Sequence, residues 1–354
     1  MKTRSGYGLM GWLAALTLAT LSNTADASPA DQIGSDPHGV RIQIDNDLFA
    51  AGGGSDRDYT GGLTVTLSGE SARDALLSLD PVLRRLDALF IATDSVADVH
   101  YARQFGLVAF TPEEVTTAQP MYDDRPYASL LFVSNGRVSV DTDGRNAWTS
   151  GVTVGLLGLH VAGELHSGLH ELVGAEPVRG YGNQISAGGE PTARYTLARS
   201  HLWVANPSAT VDVKTTVGGS VGYLTEASAA VSMRIGRFDT PWWSFAPELT
   251  DYAAAPVPVA QHAGRRLEMY FFTGVRVKAR AYNAFLEGQF RHSEVRYGPS
   301  EIEPVVAEAW IGFVTQLFER TQMSYTLNYQ TSEVRVGKAD RDSLWGGVQL
   351  NHSF

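Results

Sequence analysis

Two separate stretches of the chain carry side chains that could together hydrolyse an ester. His166 and His170 lie four residues apart in a stretch that ends at Glu176, while Asn46 and Asp47 stand side by side near the N-terminus. A neutral histidine can take a proton from water, and a cation held by oxygen ligands can stabilise an oxyanion. The sequence therefore predicts metal-assisted ester hydrolysis if the fold brings the two stretches together.

The oxygen-bearing residues around the first loop favour calcium as the metal. Asn46 and Asp47 precede this loop, and Thr60 follows it within the run SDRDYTGG at 55–62. Amide, carboxylate and hydroxyl oxygens are the hard ligands that Ca²⁺ prefers. Polar residues beside a loop are more often solvated turn residues, so these residues alone leave both interpretations open.

The two histidines leave a zinc site as a further alternative. On a helix, His166 and His170 share one face, which suits two ligands of one metal ion. The HExxH signature is absent, and zinc needs at least one more good ligand, for which Glu176 or Asp47 would have to come close. Alternatively, both histidines merely line a wet face of the helix.

The charge of the chain limits its partners. The formal net charge is −10, which disfavours non-specific binding to nucleic acid. A phosphorylated substrate would have to be recognised by local cations, for which Arg57, Arg125 and Arg179 are candidates. Arg125 lies in the run DDRPYAS, where it could instead pair with Asp123 or Asp124.

A serine motif at 218–222 satisfies GxSxG but does not predict a nucleophile. A nucleophile elbow requires a strand, a sharp turn and then a helix. The run GGSVG lies inside a predicted strand that is followed by another strand. Small residues in a barrel wall explain it better.

The N-terminus has the features of an export signal. Residues 1–27 combine Lys2 and Arg4, an apolar stretch and a small-residue cleavage site, so we predict a signal peptide at 1–27 and a mature barrel domain at 28–354. No later stretch has the roughly 18 apolar residues that a membrane helix requires. With no cysteine in the chain, the fold must form without disulfides.

Alternation of apolar and polar residues predicts strands that face lipid on one side and water on the other. The pattern is clearest in MSYTLNYQ at 323–330. The fold class is therefore all-β, a twelve-stranded antiparallel transmembrane β-barrel with both ends in the periplasm; a soluble β-protein is the alternative. We predict the strands at 39–49, 59–69, 99–109, 127–140, 146–157, 192–205, 208–223, 227–237, 266–282, 304–318, 321–335 and 343–354.

Three connections between these strands are long. Residues 71–92 repeat leucine at helical spacing, which predicts an amphipathic helix in a periplasmic connection. The proline-containing stretch 238–264 is predicted to be a second, irregular periplasmic connection. Residues 159–173 also favour a short helix, but they follow an outward-running strand, so we place this helix in an extracellular loop against the barrel wall.

Taken in order, these segments resemble the lipid A 3′-O-deacylase family of outer-membrane barrels. The resemblance spans nearly the whole mature chain, and the ordered set is more specific than any single motif. It implies a twelve-stranded barrel with an active site between the wall and an extracellular helix, and calcium-dependent hydrolysis of the 3′-linked acyloxyacyl ester of lipid A. The motifs are DNDLF (45–49), SDRDYTGG (55–62), DDRPYAS (123–129), GLLGLHVAGELHSGLHELVGAE (155–176), GNQI (182–185) and QTSEVR (330–335).

The resemblance also implies a role for individual residues. The catalytic histidine falls on His170, and the position four residues earlier, commonly glutamine in the family, is His166 here. We assign His166, with Arg57 and Arg125, to substrate binding. The remaining site residues are those from which the calcium ligands are expected to come, namely Asn46, Asp47, Thr60 and Glu176.

Two other functions compete with this interpretation. A passive porin or structural barrel would have the same alternating strands but would conduct ions. A phospholipase-type esterase would use similar chemistry on a different lipid. In all three cases we expect an exported protein of the Gram-negative outer membrane that works as a monomer. In the first interpretation its partner is lipid A or lipopolysaccharide, and nucleic acid is not expected to bind.

Overall fold

The computed structural model describes residues 38–50, 58–91, 96–174, 176–205, 210–250, 254–259 and 267–354. These residues form twelve antiparallel strands in a closed barrel, in which each strand pairs with its neighbours in sequence and the first pairs with the last. The predicted fold class is confirmed. None of the helices in the described part of the chain is long and apolar enough to cross a membrane. The predicted signal segment 1–27 lies outside the described residues.

The strand bounds follow the alternation in the sequence closely. All twelve predicted strands overlap an observed one. The strands are β1 Gly39–Asn46, β2 Asp58–Ser68, β3 Val96–Thr111, β4 Ala128–Asp141, β5 Asn146–Leu157, β6 Glu190–Ala205, β7 Val211–Gly222, β8 Leu224–Arg237, β9 Met269–Asn283, β10 Val305–Phe318, β11 Thr321–Gln330 and β12 Ser343–Ser353.

Several strand ends differ from the prediction by a few residues, and two of them, at the ends of β1 and β11, have a clear local reason. β1 stops at Asn46 because the side chain of Asn46 caps a 3-10 turn at Asp47–Phe49 by accepting the Leu48 N–H at 2.8 Å. β11 stops at Gln330, and Ser332 then bonds the carbonyl of Val334 in the following loop. In both places a short polar side chain offers the backbone an alternative to the sheet.

Side-chain alternation along β9 shows which face of the barrel meets lipid. Arg276, Lys278 and Arg280 are buried in the lumen, whereas Phe271 and Val277 are exposed on the outside. An apolar exterior around a polar interior is the pattern of an outer-membrane barrel. The end that carries both barrel termini and the short turn at 142–145 is the periplasmic end.

The predicted helix over 71–92 is wrong in one respect, because it is split in two. α1 covers Glu70–Asp74 and α2 covers Asp80–Asp87. Leu77 between them has a φ of +62°, which no helix contains, and Pro81 in the first turn of α2 has no N–H to continue a preceding helix. The remaining helices are α3 Val161–Val173, which confirms the predicted extracellular helix, and α4 Ala284–Glu287.

The stretch 238–264 was predicted to be an irregular periplasmic connection, but its described part enters the barrel. The Glu248 carboxylate accepts hydrogen bonds from Thr216 of β7 and Ser232 of β8 and pairs with Lys214 at 3.0 Å. Val257 packs against Val138 on the inner face of β4. The described part of this stretch therefore lies inside the periplasmic half of the lumen, where pairing and hydrogen bonds stabilise the buried charge of Glu248.

Ionic and apolar groups of side chains occupy the extracellular part of the lumen among the described residues. Glu333 pairs with Arg125 at 2.7 Å and also with Arg280. A cluster of buried apolar side chains that includes Phe110 and Phe285 packs beside this layer, with the Arg125 guanidinium 4.4 Å from the ring centroid of Phe110. This packing leaves little of the open channel that a passive pore would require.

We expect Glu333→Gln to destabilise the barrel. Burial alone would raise the pKa of Glu333, but Arg125 and Arg280 outweigh burial and lower the pKa to about 2. Because the folded pKa is depressed, this stabilisation exists above the unfolded pKa of about 4.3 and is lost as the pH falls towards 2. Removing the buried charge should cost about 3–5 kcal/mol, measured as a lower midpoint of heat-modified mobility at pH 7.

The matched control is Glu303→Gln. Glu303 pairs with Arg335 at 3.0 Å, but both side chains are more than a third exposed. An exposed pair contributes little, so its midpoint should stay near that of the parent protein. Equal midpoints for the two variants would show that the buried ionic layer does not hold the barrel together.

Candidate active site

The site begins with the outer face of β3 near the extracellular end. Val108 and Phe110 belong to the apolar cluster inside the lumen. Side chains alternate along a strand, so Leu107 and Ala109 face outwards. This outward face is where the extracellular helix packs.

α3 lies on this outer face through a small apolar cluster. Ala162 of α3 packs with Val178 and Tyr181, and Leu107 and Ala109 of β3 pack against the same cluster. The helix is therefore seated between the loop that follows it and the barrel wall. Ala162, His166 and His170 follow one another at intervals of four residues, so this burial also fixes the orientation of the face that carries the histidines.

Two glycines determine how closely α3 sits and where it ends. A Cβ on Gly163 would lie 2.9 Å from the ring of Tyr181, so only glycine permits this approach. Gly174 ends the helix with a φ of +71°, a left-handed conformation that glycine adopts without strain. The chain then turns back so that Glu176 passes beside the last turn of α3.

His170 is held by the main chain at this turn. Its Nδ1 lies 2.6 Å from the carbonyl oxygen of Glu176, and the histidine side chain is buried. A carbonyl oxygen can only accept, so Nδ1 carries the hydrogen and Nε2 of the neutral ring is left as a proton acceptor. The predicted partnership of His170 and Glu176 thus takes place through the backbone of Glu176, whose own side chain is exposed.

His166 lies beside His170 and is also buried. The two ring centroids are 4.6 Å apart and the rings are nearly perpendicular. Nδ1 of His166 is 3.3 Å from the hydroxyl of Tyr181. Tyr181 was missed by the sequence analysis, because a tyrosine in a loop carries no periodic signal; its only hint was its place beside the GNQI motif.

The other predicted residues meet at the mouth of the first hairpin. The side-chain amide of Asn46 donates to the carbonyl of Thr60 at 2.5 Å, and the hydroxyls of Thr60 and Thr111 are 2.5 Å apart. Asp47 follows directly and is buried. A bulge in β2 between Tyr59 and Gly61 contains Thr60, and bulges commonly redirect a side chain beside an active site.

The strand β3 connects these two groups of residues. Thr111, which bonds Thr60, is two residues from Ala109, against which the α3 cluster packs. Both groups therefore lie at the extracellular end of the same pair of strands. The arrangement places the imidazole of His170 and a set of oxygen-bearing side chains on the same region of the barrel surface.

Comparison with known proteins matches residues 12–354 to the family described as outer membrane protein LpxR. This chain belongs to the LpxR family. LpxR from Salmonella typhimurium is 17% identical, with 89% of this chain and 100% of that chain aligned at a TM-score of 0.68, which shows the same fold. The β domain of the Bordetella autotransporter BrkA aligns over 91% and 100% of the chains at 10% identity, but its TM-score of 0.41 supports no argument. No curated protein matches.

Arg125 does not fit the prediction that it binds substrate in this LpxR-family barrel. Its guanidinium lies inside the lumen, 4.4 Å from the ring centroid of Phe110 and paired with Glu333. A lipid phosphate on the outside cannot reach it. The neighbouring Asp124 carboxylate accepts a hydrogen bond from the backbone N–H of Arg125. Arg57 lies outside the described residues.

Arg341 is a charged residue that the sequence analysis missed, and it links two of the family motifs. Arg341 binds both carboxylate oxygens of Asp58 at 2.9 Å and one oxygen of Asp124 at 2.8 Å. The contact joins the DRDYT and DDRP motifs to the last extracellular loop. A bidentate arginine of this kind fixes the geometry of the loops it joins, which steadies the start of β2 beside Thr60.

Two further expectations for this LpxR-family chain concern the GxSxG run and the metal ligands. Ser220 of the GxSxG run lies inside β7 and donates to the Leu224 carbonyl, which confirms that it is not on an elbow. Among the described residues, no three histidine, aspartate or glutamate side chains are arranged to hold a metal ion. The calcium ligands, which include amide and hydroxyl oxygens, therefore stay a prediction.

We expect Gly163→Val to lower activity strongly while the barrel still folds. The added side chain would collide with Tyr181 and lift α3 from the wall, which moves His170 away from the hairpin mouth. Small displacements in an active site can cost about 100-fold in rate. The measurement is the rate of deacylation by purified protein, with heat-modified mobility as the folding check.

The matched control is Gly168→Ala on the same helix. A Cβ at Gly168 would meet nothing within 4 Å, so the helix should keep its place. Full activity of Gly163→Val would contradict the close seating of α3 as a requirement of the site.

Proposed function

We propose that this outer-membrane protein hydrolyses the 3′-linked acyloxyacyl ester of lipid A by direct attack of a histidine-activated water. Membership of the LpxR family supports a lipid A deacylase of the outer membrane. The observation that carries the finer proposal is the bond from His170 to the Glu176 carbonyl, on a helix packed against the outside of the barrel. Lipid A lies in the outer leaflet, next to this face at the extracellular end.

His170 acts as the general base. With its hydrogen held at Nδ1 by the Glu176 carbonyl, Nε2 takes a proton from water as the water oxygen bonds to the acyl carbonyl carbon. The tetrahedral intermediate then collapses, and the bond between that carbon and the sugar 3′ oxygen breaks. The proton on Nε2 passes to the departing sugar oxygen, so a fatty acid and a free hydroxyl result and no acyl-enzyme is needed.

The donor atoms at the hairpin mouth fit calcium. They are oxygens only, and Asp47 supplies a buried carboxylate whose negative charge favours a cation. We propose Asp47 and the amide oxygen of Asn46 as ligands, with Thr60 or Glu176 completing the set. When bound there, calcium would supply positive charge next to the oxyanion of the intermediate.

His166 and Tyr181 position the substrate and the base. The Tyr181 hydroxyl holds His166, and the edge of one imidazole ring contacts the face of the other, which limits rotation of His170. Arg179 is exposed just before Tyr181 and is the described cation best placed to meet a lipid A phosphate at this surface.

Mass spectrometry of lipid A tests the proposal. Cells that express the protein should lose the 3′ acyloxyacyl chain, whereas cells that express His170→Ala should keep it. Intact lipid A together with new lysophospholipid would instead assign a phospholipase activity. No change in either lipid class, with ion conductance in planar bilayers, would assign a passive barrel; the filled lumen leads us to expect no conductance.

A further inference from the structure

The outer wall of the barrel carries an unusual polar patch on its periplasmic half. Val138 of β4 faces the lumen, where it packs against Val257, so its neighbour Arg137 faces outwards. Asn135 lies two residues from Arg137 on the same outward face, and Ser150 pairs with Arg137 across the sheet. Groups of this kind are costly on a wall that meets hydrocarbon, because lipid satisfies no hydrogen bond.

The segment α1–α2, residues 70–90, covers this patch from the outside. The Asp87 carboxylate accepts hydrogen bonds from Arg137 at 3.2 Å and Ser150 at 2.8 Å. The amide oxygen of Asn135 accepts the N–H of Leu79 at 3.0 Å. Asp80 and Asp87, both on one side of α2, are buried against the wall. The side of this amphipathic helix that faces the protein therefore carries two carboxylates beside the buried Leu83.

The opposite side of the same segment is apolar and exposed. This is the reverse of a helix on a soluble protein, where the apolar side faces the core. Large apolar side chains that stay exposed together mark a binding or membrane surface. The exposed fractions are 88% for Leu76, 80% for Leu77, 49% for Val82, 72% for Leu89 and 59% for Phe90.

This exposed side continues the lipid-facing wall of the barrel. Phe90 stacks on Tyr195 of β6 at a centroid distance of 6.2 Å. Phe90 and Tyr195 together border a shallow groove whose floor includes Leu197 and Val217 on the outer faces of β6 and β7. Arg84 and Arg85 are exposed on the same helix, where cations suit lipid phosphates.

We propose that α1–α2 is a membrane-embedded element that contacts the phospholipids of the periplasmic leaflet. The segment covers the polar patch and presents an apolar surface to the bilayer in its place. Its leucines and Phe90 lie among acyl chains, and Arg84 and Arg85 lie at anionic headgroups. The occupant of this surface is phospholipid, since the surface is continuous with a wall that already faces the bilayer. The proposal does not depend on the hydrolytic activity.

Single-cysteine labelling tests the proposal, because the native chain contains no cysteine. Leu77→Cys and Leu89→Cys are each labelled with an environment-sensitive fluorophore in folded barrels in vesicles of phosphatidylethanolamine and phosphatidylglycerol. Val231→Cys on the exposed outer face of β8 serves as the lipid reference, and Asp143→Cys in the exposed turn 142–145 serves as the aqueous reference.

The expected result is that brominated phospholipids quench positions 77 and 89 several-fold more than position 143 and nearly as much as position 231. A water-soluble quencher should show the reverse order. Positions 77 and 89 that behave like 143 would overturn the proposal, as would positions shielded from both quenchers, which would indicate a protein partner.

The proposed contact of Arg84 and Arg85 with anionic headgroups is tested separately. In the variant Arg84→Glu with Arg85→Glu, quenching at position 89 by brominated phosphatidylglycerol should fall, whereas quenching by brominated phosphatidylethanolamine should stay near the parent value. Quenching by brominated phosphatidylglycerol that is unchanged in this variant would overturn the headgroup contact.

Discussion

Replacing His170 by alanine is expected to abolish deacylation while the barrel folds and inserts normally. His170 is the group that accepts the proton from water, and general-base catalysis contributes about 10²–10⁴ in rate, so the loss should be at least of this size. The side chain lies on an outer helix and outside the ionic layer of the lumen, so stability should change little. The measurement is the release of 3′ acyl groups from lipid A by purified protein.

Two other variants sharpen this test. His160→Ala removes an exposed histidine just before α3 and should retain activity. Glu176→Ala keeps the carbonyl that binds His170 but removes the carboxylate; retained activity would assign Glu176 a role through its backbone alone, whereas lost activity would add its carboxylate to the site. Substantial activity in His170→Ala would refute the assignment of the base.

Replacing Asp47 by alanine is expected to give the second large effect. Asp47 is the buried carboxylate of the proposed calcium ligands, and without it the cation and its stabilisation of the oxyanion are lost. Removing one oxyanion stabiliser typically costs about 10²–10³ in rate. The measurement is the rate as a function of calcium concentration, from chelator to millimolar calcium.

The parent protein should need calcium, and Asp47→Ala should stay slow at every calcium concentration. Asp143→Ala removes a carboxylate from the exposed periplasmic turn and should follow the parent curve. Full activity in chelator, or activity restored by zinc and not by calcium, would contradict the calcium proposal and favour the alternative in which His166 and His170 bind zinc.

Much of the fold could be predicted because alternate residues of a membrane-barrel strand face lipid and the polar lumen, and so alternate between apolar and polar types. β9 shows this directly, with arginines and a lysine inside and aromatic and branched residues outside. Strand bounds could be placed to within a few residues for the same reason. Where a capping side chain intervened, as at Asn46, alternation alone set the boundary too late.

The sequence could not reveal which side of an amphipathic segment faces the protein. The leucine repeat of 71–92 predicted an amphipathic helix without saying what its apolar side contacts, and only Leu83 of those leucines and phenylalanines is fully buried. In a bilayer the exposed side can be the apolar one, and periodicity does not distinguish the two cases. The entry of 238–259 into the lumen depends in the same way on partners such as Lys214 that are distant in sequence.

The candidate site was partly predictable for a different reason. Residue types indicated the base and the candidate oxygen ligands, and the family resemblance implied that the two belong to one site. The hydrogen bond that orients His170 comes from a backbone carbonyl, which every residue has, so no sequence signal exists for it. Arg125 looked available for phosphate because its only visible partners were its neighbours, while its real partner is Glu333, over 200 positions away.

The central claim is that the imidazole of His170 and the oxygen atoms at the mouth of the first hairpin form one site. The position of calcium in a crystal structure, located by its anomalous scattering, tests this most directly. We predict an ion bound by Asp47 and Asn46, with Nε2 of His170 separated from it by the space of a single water molecule. An ion bound elsewhere, or an imidazole turned away from the ion, would contradict the claim.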